Sequence, residues 1–388
     1  MSDPATADLD SLVADLGRRG VRRLHSLAWR DLDDPDAGGS ELHLDHCERR
    51  WAAAGLEIVH RTSASPSGDA DLARAGYRIV RRGGRHTVFP RATLAELTGR
   101  YGRSDALVEV WNGVPWFSPV WYRRPHVTVV HHVHGPMWDQ MFPGPLAAVG
   151  RGLETRVAPV FYRSTSIVTP SDATRAELIA LGFSGDSVTS IPNGHDPRFT
   201  PGGEKTSSPS IVAVGRLAPV KRFDLVISAA AAARRRIPDL TLTIVGDGAL
   251  RPELEAQVAR ADAAHWISLA GRVDDAELIE IYRRSWLVVS GSLAEGWGLS
   301  LTEAAGCGTA AVATDIGGHR SSVVDGETGV LVEESRLGAA VADLLDDHQR
   351  RAALETRALE RARRLSWDAT ATGVLACLHR DVVARDGA

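Results

Sequence analysis

Short apolar runs alternate with amphipathic stretches along the whole chain, the pattern of a parallel sheet covered by helices on both faces. In the first half the runs predict strands near Leu24–Ala28, Leu56–Arg61, Tyr77–Val80, Ala106–Val110, His126–Val130, Ser166–Thr169 and Val188–Ile191. Helices are predicted among them near Ser40–Ala54, Leu146–Arg163 and Asp172–Leu181. In the second half strands are predicted near Ile211–Val214, Leu242–Val245, Ile267–Leu269, Leu287–Val289, Ala310–Ala313 and Val330–Val332, again with helices in the gaps. Helical stretches near Leu337–Asp346, Gln349–Arg364 and Trp367–Val383 close the chain. Another, Asp8–Arg19, opens it with Leu9, Leu12, Val13 and Leu16 on one face. The expected class is α/β, twice over.

Between Asn193 and Pro209 the pattern stops, and turn formers replace apolar residues, so few contacts are expected to hold this stretch to either core. A chain of 388 residues is also too long for one ordinary core. The predicted organisation is a first domain over 1–195 with an extra N-terminal helix, a linker over 196–208, a second domain over 209–365, and a helix over 366–388 that crosses back to the first domain.

Composition narrows the class. Lys and Arg total 45 against 49 Asp and Glu, a net charge of -4, so nothing draws the whole chain to nucleic acid. Cys47, Cys307 and Cys377 lie far apart without metal-ligand spacing, which predicts neither a disulfide framework nor a zinc site and fits a reducing cytoplasm. The stretch Met1 to Leu16 is acidic and lacks the apolar core of a signal peptide, and no run reaches the ~18 apolar residues of a membrane span. A cytoplasmic protein is expected, one that can still touch a membrane surface.

Positive charge comes almost wholly from arginine; the two lysines are Lys205 and Lys221. Lys221 stands in Gly215-Arg-Leu-Ala-Pro-Val-Lys221-Arg222, directly after the apolar run Ile211–Val214. Arg216 and Lys221 at a strand end can hold a diphosphate without a metal, because opposite charges attract strongly in a partly dry cleft. Ordinary surface residues opening a helix are the plain alternative. Cations there oppose the helix macrodipole, however, unless an anion is also present. Downstream, Glu295-Gly-Trp-Gly-Leu-Ser-Leu-Thr-Glu303 follows another strand and runs into a helix near Leu299. Backbone N–H groups of its Gly296-Trp297-Gly298 turn can cradle an anion, and Glu295 and Glu303 can grip neutral hydroxyls. Taken singly, Glu303 is a helix-start acid and Glu295 a loop charge.

Gly38-Gly39 ahead of Ser40-Glu41 reads equally as a turn with a serine N-cap or as a close backbone approach to a ligand. His131, His132 and His134 end the run Val127–Val130, where a parallel sheet opens onto its crevice, and one of them is expected to face the site. Asp31-Leu-Asp33 matches an aspartate pair that binds a metal-nucleotide in a different architecture, but it is expected to be a solvated turn. Arg18-Arg19, Arg22-Arg23 and Arg81-Arg82-Gly83-Gly84-Arg85 are expected to be solvated faces, contact with anionic lipid or an anionic acceptor being the second reading. Of Trp111, Trp116, Trp121 and Trp138, most are expected in the core.

Together these residues resemble the retaining glycosyltransferases of family four. The likeness is strongest over Gly215–Lys221, Gly271-Arg272-Val273, Glu295–Glu303 with Ala304-Ala305-Gly306, and Val323–Gly329, and moderate over Gly38–Glu41 and Ile191–Gly194. It implies the GT-B architecture, two Rossmann-like parallel-sheet domains facing across a cleft, the first on the acceptor side and the second binding a nucleotide sugar. It also implies that Arg216 and Lys221 hold the donor diphosphate and Glu303 the ribose. Glu295 and the backbone from Gly296 through Trp297 and Gly298 to Leu299 would hold the transferred sugar. Backbone near Val273 would meet the base, and His134, with His132 as fallback, the donor sugar. Gly38 and Gly39 join the donor-binding set; His134, Arg216, Lys221 and Glu295 form the catalytic set.

Three departures stand out. Arg222 occupies a place where the family usually has glycine. Gly317-Gly318-His319-Arg320-Ser321 replaces a glycine-glycine, apolar, proline, glutamate pattern, and Trp297 replaces a common phenylalanine. The function implied is metal-independent transfer of a hexosyl group from UDP- or GDP-hexose to a hydroxyl of a glycan, glycolipid or small molecule, with retention. No cofactor beyond the nucleotide-sugar co-substrate is expected, no nucleic-acid partner, and at most peripheral contact with the inner membrane surface. The rivals are a phosphorylase or epimerase on the same fold and a catalytically silent nucleotide-sugar-binding subunit.

Overall fold

The computed structural model describes residues 8–65, 68–135, 137–141 and 144–387; the first seven residues of the acidic N-terminal stretch lie outside them. The chain up to Gly194, with the stretch from Trp367 onward, forms one compact unit, and His195–Ser366 forms the other.

The first unit is built on eight strands: β1 (Arg23–Leu27), β2 (Glu57–Thr62), β3 (Asp71–Arg74), β4 (Tyr77–Arg81), β5 (Ala106–Trp111), β6 (His126–Val130), β7 (Ser166–Thr169) and β8 (Val188–Ser190). Their order is β3-β4-β2-β1-β5-β6-β7-β8, parallel throughout except where β3 pairs antiparallel with β4. Every residue of β5 and β6 is buried, as strands covered on both faces require. The sequence pattern missed β3, an edge strand of alternating exposed and half-buried residues. It also missed the helix Val88–Thr98, whose Leu94 and Leu97 face solvent and blur the apolar stripe.

The single helix predicted over Leu146–Arg163 is broken. Helical turns Gly144–Gly152 and Ala158–Tyr162 flank a π-helical turn, Leu153–Val157. Pro159 supplies the reason, since it has no N–H for the turn behind it. The final helix, Trp367–Asp386, packs on the helices Leu9–Arg18 and Gly39–Ala53 and on β6 and β7. The Trp51 indole donates to the Ala371 carbonyl (2.9 Å), and the Asp15 carboxylate meets His379 (2.7 Å).

Two charge runs differ from expectation. Arg81 is buried and paired with Asp31 and Asp33, Arg74 reaches Asp33 (2.7 Å), and Arg85 spans Asp34 and Asp36. Arg74 of β3, Arg81 of β4 and Arg85 just beyond it thus pair with the acidic loop after β1 instead of the two runs facing water separately. A buried charge is tolerable only when paired in this way.

The second unit holds β9 (Ser210–Val214), β10 (Thr241–Val245), β11 (Ile267–Gly271), β12 (Leu287–Ser290), β13 (Ala310–Thr314) and β14 (Gly329–Val332), all parallel, in the order β11-β10-β9-β12-β13-β14. The chain winds outward from β9 through β10 to β11, then restarts at β12 on the other side. The loops after β9 and β12 thus diverge at their carboxyl ends, where a doubly wound sheet opens a ligand crevice.

The turn-rich stretch before β9 has more contacts than its composition suggests. Phe199 is buried, and the Lys205 ammonium donates to the carbonyls of Ser285 (2.7 Å) and Gly308 (3.2 Å) and to the Thr309 hydroxyl (2.8 Å). One aromatic ring and one ammonium thus tie this segment to the second unit despite its polarity. The three cysteines are buried and free, and among the described residues no helix is long and apolar enough to cross a membrane.

Candidate functional site

At the carboxyl end of β9 the chain turns through Gly215, Arg216 and Leu217. Leu217 N–H donates to the Asp247 carbonyl (2.9 Å), locking this loop to the one after β10. The two backbones touch: a Cβ on Gly246, whose φ is +131°, would fall 2.0 Å from the Gly215 carbonyl oxygen. A single 3-10 turn, Pro219–Lys221, then delivers the lysine, and the helix Phe223–Arg234 begins.

Arg222 joins the turn to that helix in the left-handed conformation, φ 50° and ψ 46°. Such a position favours glycine, the residue the family resemblance leads one to expect there, and Arg222 adopts it at a cost in backbone strain. Its guanidinium is engaged with Asp224 and with Glu334 (3.2 Å each).

After β12 the loop carries Ser292, Glu295, Gly296, Trp297 and Gly298 into the helix Leu299–Gly306. Lys221 and Glu295 form an ion pair, so the loops on the two sides of the chain reversal meet through opposite charges. The Ser292 hydroxyl also donates to Glu295 Oε1 (2.8 Å). Burial alone would raise the Glu295 pKa; the Lys221 charge, with lesser help from His319 and Ser292, outweighs it and leaves the value lowered. The carboxylate is thus an ionised acceptor.

Glu303 behaves differently. Tyr282 donates to it (3.0 Å), yet burial dominates and pushes its pKa up to about 7, helped by Asp275 and Asp196 and opposed by Lys221. Two carboxylates on one loop and helix therefore have opposite proton affinities, set by which one holds the lysine.

Other predicted residues fall at strand ends of the same or the other sheet. Val273, half-buried, follows β11 just ahead of the Asp274 N-cap. Gly296, Trp297 and Gly298 are buried, and Leu299 N–H bends back to the Trp297 carbonyl (3.2 Å), so that amide closes the turn on itself. Gly38, Gly39 and His134 belong to the first unit. There the helix begins at Gly39, with Glu41 accepting from the Gly38 N–H (2.8 Å). Ser40 is not the N-cap; its hydroxyl accepts from Asn112 (3.2 Å) at the end of β5. His134 is buried beside Gly113 and stacked on His132 with ring centroids 4.4 Å apart. Burial holds its pKa well below the ordinary value, so the imidazole is neutral. The Glu154 carboxylate anchors its loop, accepting from the N–H groups of His134 (2.7 Å) and Gly135 (2.8 Å) and from the Trp138 indole (3.1 Å).

Four residues that the sequence reading did not assign back the two carboxylates: Tyr282 at Glu303, and Ser292, Ser290 and His319 behind Glu295. Only His319 left a signal, as part of the unusual Gly317–Ser321 motif. Gly318 in that motif is required by contact, since a Cβ there would lie 2.2 Å from the Glu295 carbonyl oxygen.

Comparison with known proteins supplies the context. Residues 198–361 match the family described as Glycosyl transferases group 1, and residues 37–199 match Glycosyltransferase Family 4. A D-inositol 3-phosphate glycosyltransferase of Rhodococcus jostii is 35% identical, the alignment covering 92% of this chain and 88% of that protein. One from Segniliparus rotundus is 34% identical over 93% of this chain and 88% of its own. Among solved structures, the sucrose-phosphate synthase from Thermosynechococcus elongatus superposes with a TM-score of 0.79 at 20% identity, covering 94% of this chain and 100% of that one. Anabaena HepE in complex with UDP-glucose superposes with a TM-score of 0.70 at 18% identity, covering 94% and 99%.

Proposed function

The chain belongs to the group 1 glycosyltransferases and has their GT-B architecture, and on that premise we propose that it moves a hexosyl group from a nucleoside-diphosphate sugar to a hydroxyl acceptor, without a metal and with retention of anomeric configuration. The observation that carries this reading is the Lys221–Glu295 pair at the point where the second sheet reverses its winding. An incoming diphosphate competes with Glu295 for the ammonium group, and the released carboxylate turns to sugar hydroxyls.

In the reaction the bond from the anomeric carbon to the diphosphate oxygen breaks, and its electron pair leaves with the diphosphate. Lys221 and Arg216 stabilise that charge; a fixed cation in such a place is worth roughly 2 to 4 kcal/mol, by analogy with oxyanion-hole donors. The acceptor oxygen bonds to the same carbon, and its proton passes to a phosphate oxygen of the departing group. Glu303 is proposed for the ribose, the backbone near Val273 for the base, and the buried neutral His134 for the donor sugar. Gly38 and Gly39 are proposed as the close backbone approach on the first unit.

The UDP-glucose complex of HepE makes UDP-hexoses the first donors to test. The curated relatives act by name on D-inositol 3-phosphate, so small phosphorylated polyols come first among acceptors, ahead of glycans and glycolipids. The test is a matrix of UDP- and GDP-hexoses against these acceptors, with product stereochemistry read by NMR and EDTA added to every assay. Formation of an α-linked product from an α-linked donor, undiminished by EDTA, is expected; an inverted product or loss of turnover with EDTA contradicts the proposal.

A further inference from the structure

Behind Glu295 runs a chain of polar groups that ends on a buried histidine. His319 is almost wholly buried, at 1% exposure. Its Nδ1 lies 2.7 Å from the Thr314 carbonyl oxygen, which can only accept, so Nδ1 carries a hydrogen in either protonation state. Its Nε2 lies 3.1 Å from the Ser290 hydroxyl, Ser290 lies 3.3 Å from the Ser292 hydroxyl, and Ser292 donates to Glu295 at 2.8 Å.

A count of hydrogens shows what this chain lacks. With His319 neutral, Nε2 is bare, and the one hydroxyl hydrogen of Ser290 serves either Nε2 or Ser292. One link is then empty. With a proton on Nε2, all three links are filled in one direction: Nε2–H to Ser290, Ser290 to Ser292, Ser292 to Glu295.

We propose that His319 is a positioning residue for Glu295, acting through Ser290 and Ser292, and that it takes up a proton when a diphosphate draws Lys221 away from Glu295. The proposal rests on the donor role assigned to Lys221 and Glu295 above. The groups that face the ring act in both directions, and burial, the largest of them, holds its pKa below the ordinary value while the donor site is empty. Burial disfavours the imidazolium and Lys221 opposes it, while Glu295 and Asp315 favour it, Asp315 being itself paired with Arg320 (2.6 Å). Engagement of Lys221 by an anion weakens this opposing cation and frees the nearest favouring carboxylate. Donor binding and protonation of His319 then assist each other, as linkage requires.

Two measurements test this. The first follows the His319 ring nitrogens by 15N NMR across pH, with and without UDP. UDP is expected to raise the His319 pKa by about one unit, equivalent to a tenfold change in proton affinity, and Lys221→Met is expected to raise it without UDP. A ring that stays neutral under every condition overturns the proposal.

The second compares Ser292→Ala, Ser290→Ala, His319→Gln and Glu295→Gln by pH-dependent kinetics, with melting temperatures confirming that each folds. Ser292→Ala and His319→Gln are expected to lower kcat roughly tenfold, the range for a lost hydrogen bond to a charged group. They are also expected to lose the near-neutral limb of the kcat profile, while donor KM changes less than threefold. If Glu295→Gln lowers activity but these variants and their pH profiles match the wild type, the relay is wrong and the donor reading stands. If Glu295→Gln itself changes nothing, the donor reading fails, and the proton count is then judged by the NMR titration alone.

Discussion

Gly318 and Glu295 touch backbone to backbone: a methyl group on the glycine would lie 2.2 Å from the Glu295 carbonyl oxygen and 2.6 Å from its Cβ. The short helix Gly317–Ser322 is therefore a wall against which the Glu295 loop is set. Gly318→Ala must displace one or the other. We expect it to lower kcat/KM by about 100-fold, the order of loss that a misplacement near 1 Å produces, with the melting temperature falling only modestly. Wild-type rates in this variant would show that the loop position is unimportant.

The acidic pair gives a pH prediction for Glu303. An ordinary glutamate ionises near 4.5, but burial raises Glu303 to about 7 in the fold. Between those values the folded chain holds a proton that the unfolded chain has released. The stability from that proton is full below about pH 4.5 and is lost as pH rises through about 7. Glu303→Gln cannot ionise, so it should gain on the wild type between pH 5 and pH 8, by up to about 3 kcal/mol. Denaturant titrations at the two pH values measure this; a constant difference contradicts it.

Arg222 sits in a left-handed conformation with its guanidinium on Asp224 and Glu334. Relief of roughly 1 kcal/mol of backbone strain offsets the loss of an exposed ion-pair cluster worth about as much. Arg222→Gly is expected to leave stability within about 1 kcal/mol of wild type and donor KM unchanged. A large rise in donor KM would make Arg222 a third phosphate-binding cation.

Lys205 holds the turn-rich segment to the second unit through three acceptors. Burial lowers its pKa to about 8, so this lysine's contribution to stability grows as pH rises from about 8 toward its ordinary value of 10.5. Lys205→Ala leaves two carbonyls and a hydroxyl without their donor and is expected to cost roughly 1 to 3 kcal/mol. Calorimetric melting of the two proteins at pH 7 checks it; equal stability would mean the segment is held elsewhere.

Much of this was legible in the sequence, for reasons that particular residues make plain. Strands such as Ala106–Trp111 and His126–Val130 are buried on both faces, so they stand out as unbroken apolar runs. Lys221 was visible because the chain otherwise spends its positive charge on arginine. What stayed hidden was pairing at a distance. Arg81 and Asp31 look like two solvated runs until the fold brings them together. Ser290 and Ser292 are unremarkable hydroxyls until β13 delivers Thr314 and the next turn delivers His319. The edge strand Asp71–Arg74 was missed because it has no buried face to leave a pattern.

The central claim is that Lys221 grips a diphosphate. It is tested most directly by titrating UDP into wild type and Lys221→Ala by isothermal calorimetry, with EDTA in the cell. The account predicts saturable binding to the wild type without metal and at least about a tenfold loss of affinity in the variant, as expected when one charge-assisted contact of about 1.5 to 3 kcal/mol is removed. Equal affinity in the two proteins, or binding that appears only when a divalent metal is supplied, would contradict it.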